Sequence, residues 1–296
     1  MSEIRIDALL PAEMATRAEY LGVRKAEMPA FTMFMLSLLA GAFISLGAIF
    51  ATTVAAGGMS VTAADGALAY TTGLPYGVTR LLTGLVFCLG LILVVVGGAE
   101  LFTGNNLIVM AWASGKVTGR ALLRNWFIVY TGNFIASIAT AALMFFTRQY
   151  TFGSDSVGIA ALKIAVAKCD LGFMQAVALG ILCNALVCLA VWLTYSARTT
   201  IDKIVAIIFP ITAFVAAGFE HSVANMYFIP YALLVKGFDA EFMAKIGDKV
   251  PKLELLTWKA FFINNLIPVT IGNIIGGAVL VAAVYWVVFL REKKVN

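Results

Sequence analysis

The sequence is that of an all-α membrane protein with six transmembrane helices. Three observations predict this: an extreme composition, six long apolar runs, and a weak internal repeat. Apolar residues make up 61 % of the 296 residues and charged residues 12 %, against about 25 % charged in a soluble domain. Mean hydropathy is +0.95. A soluble chain this apolar could not cover its surface with polar groups, and a lipid-facing surface removes that requirement.

A helix needs about 20 apolar residues to cross the hydrocarbon layer. Six stretches qualify: 31–54, 78–112, 121–147, 171–196, 203–232 and 256–290. They form one transmembrane domain over 31–290. Residues 1–30 make an N-terminal segment, with a short amphipathic helix expected over 11–27, and 291–296 form a tail. Residues 1–30 carry no apolar stretch behind a basic start, so the first run is expected to stay in the membrane. The amphipathic helix reads equally as a tether or as a gating element.

Six spans put both termini on one side. Lys116, Arg120, Arg124, Arg198, Lys203, Arg291, Lys293 and Lys294 fall on that side, with Arg5, Arg17, Arg24 and Lys25. The positive-inside rule makes it cytoplasmic. The net charge of +5 sits in loops and ends, which speaks against a nucleic-acid partner. Cys88, Cys169, Cys183 and Cys188 form no close-spaced metal set and read as small core hydrophobes.

The chain repeats itself. Gly98, Glu100 and Asn105 match Gly218, Glu220 and Asn225 in spacing. Asn125 with Gly132-Asn133 matches Asn265 with Gly272-Asn273, and Phe34-Met35 with Gly41 matches Phe173-Met174 with Gly180. Three spans per unit is an odd number, so the second unit enters the membrane from the opposite side. The result is a 3+3 inverted repeat, with the transported species handled where the units meet.

Glu100 and Glu220 are the two carboxylates deep in apolar runs. A charge at the bilayer centre costs at least about 2.5–3.5 kcal/mol. Each has Gly two residues before it and Asn five residues after it, so the second and fifth helices are expected to be interrupted there. A break frees backbone groups that lipid cannot satisfy. Glu100 and Glu220 are suited to accept freed N–H groups, with Thr103, Asn105, Ser222 and Asn225 helping; proton relay is the alternative role. Helix N-termini at the break would favour an anion.

His221 is the single histidine and lies inside the second break. It reads either as a neutral imidazole bonded to a neighbour or as a group that donates a hydrogen bond or a proton to a passing anion. The proton matters because a bare anion crossing an apolar constriction loses its hydration at large cost, and the neutral acid loses far less. A second histidine is missing, which argues against a haem or quinone subunit and against a metal at His221. A water or glycerol channel would place an arginine at its filter, and none lies in either break.

The stretches GGAELFTGN (97–105), GFEHSVANM (218–226) and NNLIPVTIGNIIGG (264–277) resemble the signatures of the formate/nitrite transporter family. DALLPAEMA (7–15) and LLTGLVFCLGLILVV (81–95) resemble its formate channel branch. The resemblance implies an aquaporin-like protomer, a homopentamer with one pore per protomer, cytoplasmic termini and a bacterial inner membrane. It implies transport without catalysis or cofactor, of formate first among small monovalent anions, with protons and lipid as the other partners. It places the central histidine at His221, its asparagine partner at Asn273, and the threonine of the first break at Thr103. Apolar constriction positions fall on Phe87, Leu91, Leu101, Phe102, Val187 and Phe214, and a vestibule lysine on Lys168. That lysine reads as an anion attractor or as a solvated loop charge. One departure concerns selectivity: Gly104-Asn105-Asn106 stands where the formate branch carries Ser-Thr and an apolar residue, and resembles hydrosulfide-type members. Nitrite and hydrosulfide are the alternative substrates.

Overall fold

The computed structural model describes residues 8–57, 60–62, 68–71 and 73–291. Arg5, Lys293 and Lys294 lie outside them. A short helix α1 (Pro11–Glu27) precedes the first span, α2 (Ala30–Ala55). The second span is α3 (Tyr76–Gly97), which stops, resumes as a 3-10 stretch over Gly104–Ile108, and ends in α4 (Val109–Ala113). The third is α5 (Gly119–Phe146). After α6 (Ser156–Cys169) comes the fourth span, α7 (Phe173–Ser196). The fifth is α8 (Thr200–Ala217), interrupted before α9 (Ser222–Phe238). A short α10 (Ala240–Ile246) leads to the sixth span, α11 (Trp258–Leu290), one 33-residue helix containing wide π-type turns. The helices long and apolar enough to cross a membrane number six among the described residues. One antiparallel hairpin, β1 (Ser60–Thr62) with β2 (Leu68–Thr71), lies in the α2–α3 link and was not expected.

The two interruptions have one local cause. Gly98 and Gly218 adopt φ of 76° and 78°, a left-handed conformation that ends a helix and that glycine takes without steric cost. The following amides, Ala99 and Phe219, turn back onto the carbonyls of Val94 and Phe214 at 2.9 and 3.0 Å. The chain then folds inward. The Glu100 amide donates to the Leu36 carbonyl at 3.1 Å, and the Glu220 amide to the Leu179 carbonyl at 3.3 Å.

The inverted repeat is present, with one correction. The pairing of Gly41 with Gly180 is one helical turn out of register. Leu36 and Leu179 receive equivalent amides, and Ser37 and Gly180 face equivalent glycines, Gly132 and Gly272. The first and fourth spans therefore align with an offset of 143 residues. The same offset aligns Lys25 of α1 with Lys168 of α6. The duplicated unit thus begins before the first span. α1 packs on the transmembrane domain: it buries Met14, Ala15, Ala18, Gly22 and Ala26, with Gly22 close-packed on Ala111 of α4.

The spans pack through small residues. A Cβ on Gly272 would stand 2.2 Å from the Val177 carbonyl and 3.0 Å from the Gly180 Cα. Backbone cannot yield as a side chain does, so Gly272→Ala should force α7 and α11 apart and cost about 1–3 kcal/mol. Gly237→Ala, at a helical position with nothing within 4 Å, should be neutral or stabilising by up to about 1 kcal/mol. Thermal unfolding midpoints of the purified protein in detergent check this, with a lowered midpoint expected for the first variant alone.

Candidate functional site

Each break is held by a node of five side chains, and the two nodes are copies. In one, Lys25 Nζ donates to Glu100 Oε1 at 2.6 Å and to Asn105 Oδ1 at 3.0 Å. Asn105 Nδ2 donates to Glu100 Oε2 at 2.7 Å and to Asn125 Oδ1 at 2.9 Å, and Asn125 Nδ2 returns to the Lys25 carbonyl at 3.0 Å. In the other, Lys168 Nζ donates to Glu220 Oε1 at 2.8 Å. Asn225 Nδ2 donates to Glu220 Oε2 at 2.6 Å and to Asn265 Oδ1 at 2.7 Å, and Asn265 Nδ2 returns to the Lys168 carbonyl at 3.0 Å. The fifth member clamps backbone. Asn133 accepts from the Phe102 amide at 2.9 Å and donates to the Glu100 carbonyl at 3.0 Å. Asn273 accepts from the Ser222 amide and donates to the Glu220 carbonyl, both at 2.9 Å.

This corrects the expectation for the glutamates. Both are 4–5 % exposed, and their carboxylates take lysine and asparagine protons, not the freed backbone N–H groups. Those N–H groups go to Asn133, Asn273 and the carbonyls of α2 and α7. Burying a carboxylate is costly without a charged partner and further hydrogen bonds, and each glutamate has both.

His221 sits one residue before α9 and caps it. The Ala224 amide donates to Nδ1 at 3.1 Å, so Nδ1 carries no proton and the neutral ring holds its proton on Nε2. Nε2 lies 2.9 Å from Thr103 Oγ1 and donates to it. The Thr103 hydroxyl proton is then free for another acceptor. Phe214 stacks on the imidazole at 5.9 Å between centroids and meets Phe87 edge-to-face at 5.6 Å.

Two cavities flank this pair. One, of about 390 Å³, is lined by Phe87, Phe214, His221, Lys168, Lys163 and Arg80, among others. The other, of about 320 Å³, is lined by Leu91, Leu101, Gly104, Lys25, Arg17 and Lys203, among others. No described residue lines both. Phe87 and Leu91 are one turn apart on α3, so the barrier between the cavities is about 6 Å thick along that helix. Thr103 is fully buried within it. The imidazole borders the Lys168 cavity and not the Lys25 cavity.

The structure brings His221, Thr103, Phe87, Leu91, Leu101 and Phe214 to this barrier. Val187 is buried in the core and lines neither cavity. The Phe102 ring packs edge-on against Trp126 and Tyr130 of α5, at 6.0 and 4.8 Å. Asn273 makes no hydrogen bond to the imidazole; it grips the main chain on either side of it. Lys168 is ion-paired, 14 % exposed at its side chain. Asn106 lies behind the barrier, donating to the Phe102 carbonyl at 3.0 Å and accepting from Asn184 at 3.2 Å. Sequence reasoning missed Lys25 as the mirror of Lys168, and missed Asn184, which donates to the Thr103 and Asn273 carbonyls at 3.3 and 2.7 Å. The signal for Lys25 was the repeat offset itself, visible once the unit is started before the first span.

The sequence pattern of the formate/nitrite transporter family matches residues 12–287. The chain is 43 % identical over 287 residues to the formate channel FocA of Escherichia coli strain K12, covering 97 % of this chain and 96 % of that one. It is 42 % identical over 275 residues to the formate channel FocA of Haemophilus influenzae, covering 93 % and 92 %. Among solved structures, a pentameric formate channel with formate bound superposes with a TM-score of 0.78 at 44 % identity, covering 88 % of this chain and 98 % of that one. With the broken helices, the mirrored nodes and nearly full-length similarity in agreement, the chain belongs to the formate/nitrite transporter family.

Proposed function

We propose that the protein passes formate across the bacterial inner membrane, as a small weak acid, through the barrier formed by His221, Thr103 and the flanking apolar side chains. The observation that carries this reading is one hydrogen-bonded His–Thr pair, sealed between apolar residues, with a cationic cavity on each side. Formate is drawn into a cavity as the anion. The apolar barrier disfavours the bare charge and admits the neutral acid. Similarity to formate channels supports the substrate, and the pentameric relative supports a homopentamer. The face bearing α1, Lys116, Arg124 and Lys203 is cytoplasmic by its basic loops.

His221 serves as a neutral donor that polarises Thr103. Charging the ring would require Nδ1 to release the Ala224 amide and give up a helix cap, at about 0.5–2 kcal/mol. The proton that neutralises formate then comes from bulk hydronium, relayed by water in the cavity, which is why falling external pH speeds the flux. The Gly104-Asn105-Asn106 departure does not bring a new polar group into the barrier: Asn105 completes the Lys25 node and Asn106 faces the scaffold. This favours formate over hydrosulfide.

Formate flux into proteoliposomes should accelerate as external pH falls from 7 to 5. In His221→Ala the vacated volume admits water, so the anion crosses alone and the pH dependence weakens. Thr103→Val should lower flux about tenfold, matching loss of one transition-state hydrogen bond, and should keep the pH dependence. Unchanged pH dependence in His221→Ala rejects the assigned role of the ring.

Osmotic swelling separates the anion pathway from a neutral-solute channel. Liposomes carrying the protein should swell in sodium formate with a sodium–proton exchanging ionophore present, and not in glycerol. Swelling in glycerol alone would sink the anion reading.

A further inference from the structure

Arg80 was not singled out by the sequence, yet it reaches across to the second break. It lies on the second turn of α3, half-buried. Its Nε donates to the Ala216 carbonyl at 3.0 Å and its Nη2 to the Val215 carbonyl. These carbonyls belong to the last turn of α8, where Val215 also accepts from the capping Gly218 amide at 3.1 Å and Arg80 supplies a further donor. They follow directly on Phe214, the ring stacked on His221. The latch is one-sided. Residue 200 occupies the repeat-equivalent position, and it is a threonine.

Nε and Nη2 form one edge of the guanidinium plane, and that edge is occupied. The second edge, formed by one N–H from each Nη, has no partner among the described residues. No carboxylate among the described residues pairs with Arg80 there either. Lys168, by contrast, is neutralised by Glu220 at 2.8 Å. Arg80 lines the same cavity as Lys168, His221 and Phe214. So does Lys163, exposed and without a hydrogen bond or ion pair among the described residues. Among the described residues, the positive charge at this mouth without a carboxylate partner therefore belongs to Arg80 and Lys163.

We infer that Arg80 is a docking site for a carboxylate at the mouth of the Lys168 cavity, binding both oxygens through its free edge before the anion reaches the barrier. Arginine suits the task because its planar fork matches a carboxylate and its other edge is held rigidly by α8. Lys163 adds a screened, longer-range attraction. The inference rests on the reading of formate as substrate.

The test is formate uptake into right-side-out membrane vesicles, measured against concentration and ionic strength. Arg80→Lys keeps the charge and loses the fork. It should raise the half-saturating formate concentration about fivefold with the maximal rate within about twofold of wild type. Arg80→Gln should raise it further and flatten its salt dependence. Lys163→Gln removes no structural bond and should raise it about twofold with a flatter salt dependence. Size-exclusion profiles confirm assembly of each variant. A fall in maximal rate at unchanged half-saturation in Arg80→Lys overturns the docking site, because loss of the α8 latch alone gives that result. Unchanged salt dependence in both Arg80→Gln and Lys163→Gln also overturns it. A wild-type protein that carries no formate at all would instead overturn the proposed function.

Discussion

A helix broken inside a membrane exposes amide and carbonyl groups to a medium that cannot hydrogen-bond them. Asn133 and Asn273 answer this by gripping the main chain on both sides of the inward loop, carbonyl with Nδ2 and amide with Oδ1. Everything at the barrier hangs from these two clamps. They fix the loops that carry Leu101 to Thr103 and His221 to Ser222. They do so from α5 and α11, helices that cross without interruption. The lysine–glutamate–asparagine nodes then brace the outer side of each loop.

The nodes are mirror copies, but the loop tips are not. His221 occupies the place that Leu101 has in the other half, and Ser222 the place of Phe102. Thr103 corresponds to Val223. The duplicated scaffold thus presents one imidazole from one half and one hydroxyl from the other, and they meet at 2.9 Å. The proposed function rests on this departure from symmetry. A fully symmetric pair of tips would give either a wholly apolar plug or two polar groups with like roles.

Charge is handled in the same two-tier way. Each buried glutamate is neutralised by its lysine, at 2.6 and 2.8 Å. Desolvation of such a pair offsets much of its attraction, so the pairs define position more than they add stability. Cations with no carboxylate partner among the described residues, Arg80 and Lys163 on one side and Arg17 and Lys203 on the other, line the cavities. In the proposed reading, anions meet a positive surface before the barrier, whichever face they approach.

The spans, the two interruptions and the pivotal residues His221, Thr103, Glu100 and Glu220 were legible because bilayer thickness and the cost of buried polarity leave strong marks in a linear sequence. Glycine two residues before each glutamate marked the breaks for the same reason. The sequence could not tell that the glutamates serve lysines and asparagines, that Phe102 turns toward Trp126, or that Asn273 holds main chain and not the ring. Partner choice there depends on which helix faces which, across separations that run from 24 residues between Phe102 and Trp126 to 75 between Lys25 and Glu100. The register between the first and fourth spans was misread by one turn, since apolar helices offer many near-equivalent alignments. Only the tertiary packing chose among them, through the close approach of Ser37 to Gly132 and of Gly180 to Gly272. Composition and hydrophobic run length determined that this chain lives in a membrane and where it bends. Long-range packing decided which side chains meet at the bend, because hydrogen-bond geometry is set in space and leaves no fixed spacing along the chain.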